Sequence, residues 1–337
     1  MKSILIVNVN WLGDTLFATP FIRAIREKYP KSYIAVLTHP RCYGILEGNR
    51  NIDEIIIYDE KKQHKNLLRR FSIISYLRSK NFDVAFILRK SFSRTLLLLF
   101  SKIPHRVGYR SKRAGFLLTK RVDAPHKELH KVEYFLNIAK AMGIETKNKN
   151  YEIAISENNI KNAENILRDA GVKDENFVVL NAGGNWNPKR WPLENFARLG
   201  DGIVKKSEAS IVLTGAEKDI LLAEDIARLM KHKPVILCGK TDLKTLGAIF
   251  KKAMCVISND SGPMHLAVAA RANVIAIFGP TSPELTGPYG DGEYRVLHKD
   301  IGCKVPCYDS KCKDNRCMKA VTVEDALGAL NEIIKCP

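Results

Sequence analysis

Short apolar runs of strand length alternate with helix-length stretches along the whole chain, and this alternation confines the fold to a layered α/β architecture. Strands are predicted over 3–9, 33–37, 55–58, 84–88 and 106–109, then over 177–180, 210–214, 235–238, 255–257 and 274–278. Helices are predicted between most of them, among them 15–28, 127–142 and 159–170, with Gly143 stopping the second. The polar stretch 145–158 reads as a junction. Two successive series of this kind predict two Rossmann-like, doubly wound domains facing each other across a cleft, with ligands beyond the carboxyl ends of the strands. The expected domains are 1–156 and 157–320, followed by 321–337, whose helix (323–334) packs back on the body. No internal repeat is evident in the sequence.

At 337 residues the chain is long enough for two full cores. No apolar run nears the roughly 18 residues that span a bilayer. The opening apolar stretch is too brief for a secretory segment and runs at once into Asn8, Asn10 and Asp14, so a cytoplasmic protein is expected. The net charge of +18 is lopsided: residues 1–150 hold 29 Lys and Arg against 12 Asp and Glu, whereas residues 151–337 hold 25 against 24. The first half is therefore expected to meet something anionic, whether nucleic acid, an acidic membrane face or a phosphorylated substrate.

The segment Cys255-Val-Ile-Ser-Asn-Asp-Ser-Gly-Pro-Met-His265 leads a short strand into a polar turn and then into an Ala-rich helix. Proline is tolerated in the first turn of a helix, where its missing N–H has no intrahelical partner. Backbone N–H groups, a hydroxyl, a carboxylate (Asp260) and an imidazole (His265) thus gather at the positive end of a helix dipole, a site suited to a diphosphate. An ordinary capped loop would need only one of these groups. Two further loops follow predicted strands. In Asn181-Ala-Gly-Gly-Asn-Trp-Asn-Pro-Lys-Arg-Trp-Pro192, Gly183 and Gly184 let backbone approach a ligand, and Lys189 and Arg190 can neutralise phosphate. In Gly215-Ala-Glu217, the carboxylate can accept ribose hydroxyls. Each loop alone is weak evidence; together they supply cation, ribose acceptor and anion-binding helix end for a nucleoside diphosphate. Neither G-x-G-x-x-G nor G-x-x-x-x-G-K-[ST] occurs, and no Asp-x-Asp is present to hold a nucleotide sugar through a metal.

In the first half, Asn10-Trp-Leu-Gly-Asp14 joins a strand to a helix. Asp14 suits an N-cap or first-turn position, and equally a general base that takes a proton from an attacking hydroxyl. Basic segments surround it in sequence: Lys61, Lys62, Lys65, Arg69 and Arg70; Arg89-Lys-Ser-Phe-Ser-Arg94 with Ser91 and Ser93; and Arg106, Arg110, Lys112 and Arg113. Aromatics among them are few, Phe71 being the nearest to the first group, which gives little for bases to stack on and sets nucleic acid aside as a partner. Of the eight cysteines, Cys238 and Cys255 lie in strand patterns as core thiols. Cys303, Cys307, Cys312 and Cys317 form a cluster that fits either a structural metal or redox site or reduced loop thiols; paired C-x-x-C knuckles are absent.

The motifs Leu12-Gly-Asp-Thr, Leu88-Arg-Lys-Ser-Phe-Ser, Pro104-His-Arg-Val-Gly-Tyr109, Lys189-Arg-Trp-Pro, Thr214-Gly-Ala-Glu217, Asn259-Asp-Ser-Gly-Pro-Met-His-Leu266 and Phe278-Gly-Pro-Thr, in this order, resemble the glycosyltransferase family 9 heptosyltransferases of lipopolysaccharide core assembly. The resemblance spans nearly the whole chain, and Ser91-Phe-Ser93 leans towards the second heptosyltransferase. It implies a GT-B fold and a metal-independent, inverting transfer without cofactor. The donor it implies is ADP-L-glycero-D-manno-heptose, bound by the second domain. The implied acceptor is the Kdo-bearing inner core on lipid A, bound by the first domain at the cytoplasmic face of the inner membrane, where the enzyme would associate peripherally. On the same footing Asp14 is the general base, Lys189 counters diphosphate charge and Glu217 holds ribose. Ser261 and Gly262 offer N–H donors to the phosphates, and Asp260 and His265 position the sugar end. Gly184 and Asn185 complete the donor set, and Lys61, Lys62, Lys65, Arg69, Arg89, Ser91, Ser93 and Arg113 the acceptor set. Asn185-Trp-Asn departs from the relatives' pattern, which keeps open a related transferase that moves a hexose or N-acetylhexosamine.

Overall fold

The central strands of each sheet are buried along nearly their whole length rather than at alternate positions, the mark of parallel sheets covered on both faces. The computed structural model describes residues 1–172 and 176–335. It forms two compact units, Met1–Ala154 and the residues from Ile155 on.

In the first unit the strands are β1 (Ser3–Val7), β2 (Tyr33–Thr38), β3 (Glu54–Ile57), β4 (Val84–Ile87), β5 (His105–Tyr109) and β6 (Lys120–Val122). They pair in parallel in the order β3-β2-β1-β4-β5-β6, with Ile4 opposite Ile34 on one side and Val84 on the other. Leu5, Val7, Ala85 and Ile87 turn to one face, where Ile73, Leu77, Leu97 and Leu98 from helices Leu67–Ser79 and Phe92–Phe100 close over them. Helices Leu12–Lys28 and Lys131–Lys140 pack together elsewhere in the same unit.

The second unit holds β7 (Phe177–Asn181), β8 (Ser210–Leu213), β9 (Val235–Ile236), β10 (Cys255–Asn259), β11 (Val274–Ile277) and β12 (Tyr294–Leu297), paired in parallel in the order β12-β11-β10-β7-β8-β9. Counted from its own first strand, this is the order of the first unit. The repeat that the sequence hides is thus plain in the topology, because strand order constrains where apolar residues fall but not which ones they are. One polar pair also recurs. Asn8, just past β1, donates to the Thr38 hydroxyl at the end of β2 (3.2 Å), and Asn181, ending β7, donates to the Thr214 hydroxyl just past β8 (3.1 Å).

In each sheet the strand order reverses direction beside the first strand, between β1 and β4 and between β7 and β10. Connections leave such a pair towards opposite sides, so a crevice opens at the strands' carboxyl ends. The C-terminal helix, Val323–Lys335, buries Ala326, Leu330 and Ile333 in the second unit's core. Cys336 lies outside the described residues.

Candidate active site

The loop after β7 is held from behind. Asn259, at the end of β10, donates to the Ala182 carbonyl (2.8 Å) and accepts the Trp191 N–H (3.0 Å), so one buried amide ties both ends of the 182–191 loop to the neighbouring strand. The Trp191 ring, 2% exposed, donates to the Val321 carbonyl (2.8 Å). Gly183 is required by packing, since a Cβ there would lie 2.8 Å from an oxygen of Asp219. A Cβ at Gly215 would lie 2.8 Å from the Asp219 Cβ. Asp219 itself accepts the Ala216 N–H (3.0 Å), which fixes the turn that bears Glu217. Two loops therefore share one buried carboxylate, and small residues let them close on it.

On this frame Lys189 reaches Asp260, Nζ to Oδ2 at 2.5 Å. The same carboxylate oxygen accepts the Thr281 hydroxyl at 2.6 Å, and its other oxygen lies 3.8 Å from His265 Nε2. Asp260 and His265 are both about 5% exposed or less, whereas Lys189 is partly open. Immediately after Asp260 the helix Gly262–Ala269 begins, with extended Ser261 as N-cap, Pro263 in the first turn and no side chain capping it. Ammonium, imidazole, hydroxyl and helix N-terminus thus converge at the β7/β10 switch point. That set can bind an anion, and Asp260 is the hinge on which its cation turns.

In the first unit Asn8 also donates to the Thr15 hydroxyl (3.2 Å), which locks the entry of helix Leu12–Lys28. Trp11 is the N-cap and makes no side-chain cap bond, so Asp14 stands inside the first turn and is partly exposed. Arg94, 1% exposed, clamps this turn from the other side of the switch point. Its Nη1 donates to the Asn8 carbonyl and its Nη2 to Asn10 Oδ1, each at 2.6 Å, and its Nε to Glu60 at 3.1 Å. Burial pushes the Arg94 guanidinium below its ordinary pKa, with Glu60 opposing. Burial also pushes the Glu60 carboxyl up, but hydrogen bonds from Ser93 and Arg94 outweigh it and hold Glu60 below the usual range.

A glycosyltransferase family 9 (heptosyltransferase) model matches residues 70–317. The chain belongs to glycosyltransferase family 9. It is an enzyme that transfers a glycosyl group. The lipopolysaccharide core heptosyltransferase OpsX of Haemophilus influenzae is 25% identical, over 98% of this chain and 97% of that protein. Two solved structures, each 24% identical, share the fold. The family 9 transferase of Veillonella parvula has a TM-score of 0.90 and covers 99% of this chain and 97% of its own. The ADP-heptose lipopolysaccharide heptosyltransferase II of Escherichia coli has a TM-score of 0.81 with 99% and 98% covered. Both six-stranded units are those of the GT-B fold.

Within this family 9 chain the expected donor residues fall at the carboxyl ends of the second sheet. Lys189, Asp260 and His265 form one cluster, Ser261 and Gly262 open the adjacent helix, and Gly184, Asn185 and Glu217 lie on the two neighbouring loops. Arg190 Nε and Nη2 donate to the Gly184 carbonyl (3.0 and 2.6 Å), which braces the loop. Asn185 is exposed and accepts from Lys218.

The expected acceptor residues divide. Lys61, Lys62, Lys65, Arg69, Arg89 and Arg113 are exposed, although the Arg69 guanidinium also donates to the Gln63 carbonyl (3.0 Å). Ser91 accepts the Arg94 N–H as the cap of helix Phe92–Phe100, and Ser93 donates to Glu60 at 2.7 Å. Both hydroxyls are thereby spent on local structure. Arg89 and Ser91 line a small pocket with Ser111 and Tyr109 at the ends of β4 and β5.

Among the described residues no three His, Cys, Asp or Glu side chains are placed to share a metal, and Cys303, Cys307, Cys312 and Cys317 are free thiols. Cys317 turns inward, its sulfur 3.1 Å from where a Cβ on Gly279 would sit, while Cys303 points to solvent. Sequence reading missed Thr281, Asn259 and Asp219 as individual contributors. Thr281 had a signal, since Phe278-Gly-Pro-Thr follows the strand next to β10; Asp219 had none.

Proposed function

We propose that this family 9 enzyme transfers L-glycero-D-manno-heptose from ADP-heptose to the inner core of lipopolysaccharide, by a metal-independent, inverting displacement. The second unit would bind the donor and the first the Kdo-bearing, lipid A-linked acceptor. The observation that carries this reading is the Lys189–Asp260–Thr281–His265 cluster at the open N-terminus of helix Gly262–Ala269, in a family whose relatives are named for heptose transfer.

In this reaction an acceptor hydroxyl attacks the anomeric carbon, the bond to the diphosphate breaks, and the proton passes to Asp14. The helix dipole at the first turn favours the ionised carboxylate, which keeps Asp14 ready to accept. Negative charge grows on the leaving diphosphate, where Lys189 and the N–H groups of Ser261 and Gly262 stabilise it. Glu217 accepts the ribose hydroxyls, and His265 and Asp260 orient the sugar. The exposed bases Lys61, Lys62, Lys65, Arg69, Arg89 and Arg113 attract the anionic acceptor at the cytoplasmic membrane face.

Thermal unfolding with ADP, UDP, GDP and ADP-heptose tests the donor. Stabilisation by ADP, increased by the heptose, is expected. A preference for a uridine sugar would keep the fold and remove the heptose.

A further inference from the structure

Residues 61–122 carry a single acidic side chain, Asp83, against seventeen Lys and Arg. Asp83 is occupied by the backbone N–H groups of Lys2 and Ser3. The same stretch also holds most of the first unit's large exposed apolar side chains, an unusual pairing, because charge alone would be served by a polar surface.

Helix Leu67–Ser79 buries Ile73 and Leu77 against the sheet, yet on its opposite side leaves Leu67, Leu68 and Phe71 at 69%, 79% and 65% exposure. Spacings of three and four place these three on one stripe. Helix Phe92–Phe100 repeats the arrangement: Leu97 and Leu98 face the same core, and Phe92, Leu99 and Phe100 are exposed on the outer side. The two helices pack side by side over one sheet face, so their outer stripes turn the same way. Phe116, 68% exposed, extends the surface through ring contact with Phe92. Arg69 and Arg78 lie on helix Leu67–Ser79 itself, Lys61, Lys62 and Lys65 in the segment leading into it and Lys102 just past helix Phe92–Phe100, all exposed.

We propose that this face docks on an anionic phospholipid bilayer, with Leu67, Leu68, Phe71, Phe100 and Phe116 entering the interface and the surrounding bases meeting lipid phosphates. Side chains that lie in the headgroup layer recover apolar burial, while each base near the surface adds electrostatic attraction, and two weak signals together give stable, reversible attachment. Leu67, Leu68 and Leu99 favour lipid over nucleic acid, whose bases would want ring faces. The inference deepens the proposed function and rests on it for the acceptor's identity alone.

The test is sedimentation of the full chain with phosphatidylglycerol–phosphatidylethanolamine vesicles, which contain no acceptor. Binding is therefore read independently of transferase activity, and donor binding is checked separately. The protein should pellet with these vesicles, release as salt rises, and ignore phosphatidylcholine vesicles. Leu68→Ser with Phe71→Ser, and separately Phe100→Ser with Phe116→Ser, should each weaken binding about tenfold. Tm and the response to ADP should be unchanged, which excludes misfolding. Failure to bind anionic vesicles, or equal binding by both double variants, overturns the proposal. So does light scattering that shows a dimer lost in the variants, or a preference for single-stranded RNA over vesicles.

Discussion

Asp14 and Lys189 differ in what their loss should do. With Asp14→Ala, the proposed general base disappears but no donor contact does, so turnover should fall by about 10²–10⁴ with ADP-heptose affinity unchanged. A matching loss of donor affinity would show instead that the carboxylate serves the first turn of its helix. With Lys189→Ala, the response of Tm to ADP should shrink first, because the ammonium's proposed partner is the diphosphate rather than the attacking hydroxyl; an undiminished response rules out its phosphate role. Their positions stand out in the sequence because each lies in the connection that leaves an apolar strand. Arg94 was not legible in the same way. Within Arg89-Lys-Ser-Phe-Ser-Arg94 it reads as one more surface base, and only the fold shows it buried, clamping Asn8 and Asn10.

At the scale of elements, ten of the twelve strands followed from apolar patterning, with ends shifted by a few residues: β1 stops at Val7, and the helix expected over 127–142 spans Lys131–Lys140. The edge strands β6 and β12 were missed, because each carries polar or charged residues that break the apolar run. Ends move because capping and side-chain bonds decide them, as when Asn8 leaves the strand to bond Thr15 and Thr38. The loops were harder. Which glycines matter depends on what lies opposite, and Asp219 is opposite both Gly183 and Gly215 without any sequence sign of it. Gly215→Ala should therefore cost roughly 1–3 kcal/mol by urea unfolding, since the added methyl meets the Asp219 Cβ. A neutral outcome would mean that the Glu217 turn shifts freely. The four-cysteine loop stays open in the sequence for a related reason: spacing alone does not tell whether thiols converge, and one of the four packs against Gly279.

Across the whole molecule, two copies of one strand order carry two different loop sets, rich in bases in the first unit and proposed to hold the donor diphosphate in the second. The apolar parts of both cores penalise a new charge, and this has a signature at high pH. Burial pushes the thiols of Cys238 and Cys255 up to about 11 and about 12, from 9.0, and the Tyr109 hydroxyl up to about 12 from 10.0. The native state holds these protons more tightly than the unfolded chain does. Their contribution is complete below pH 9 and is lost as pH rises towards 12. The urea midpoint should fall through this window, and Cys255→Ala should flatten part of the decline; a slope unchanged by that substitution would remove Cys255 from the account.

Lys189 already has a counter-ion in Asp260, 2.5 Å away. On the proposed donor role, diphosphate binding would be an exchange of anions rather than the filling of a bare charge. Inorganic phosphate would gain little from such a trade, whereas a nucleotide would add its ribose and base, so free phosphate should compete poorly with ADP. The trade also runs in reverse: once the sugar has left, Asp260 can reclaim the ammonium step by step as the spent nucleotide departs. Asp260→Asn should hold ADP longer, visible as a slower off-rate by stopped flow, while inorganic phosphate becomes a better competitor. An off-rate unchanged or faster would show that the carboxylate contributes to the hold rather than to the release.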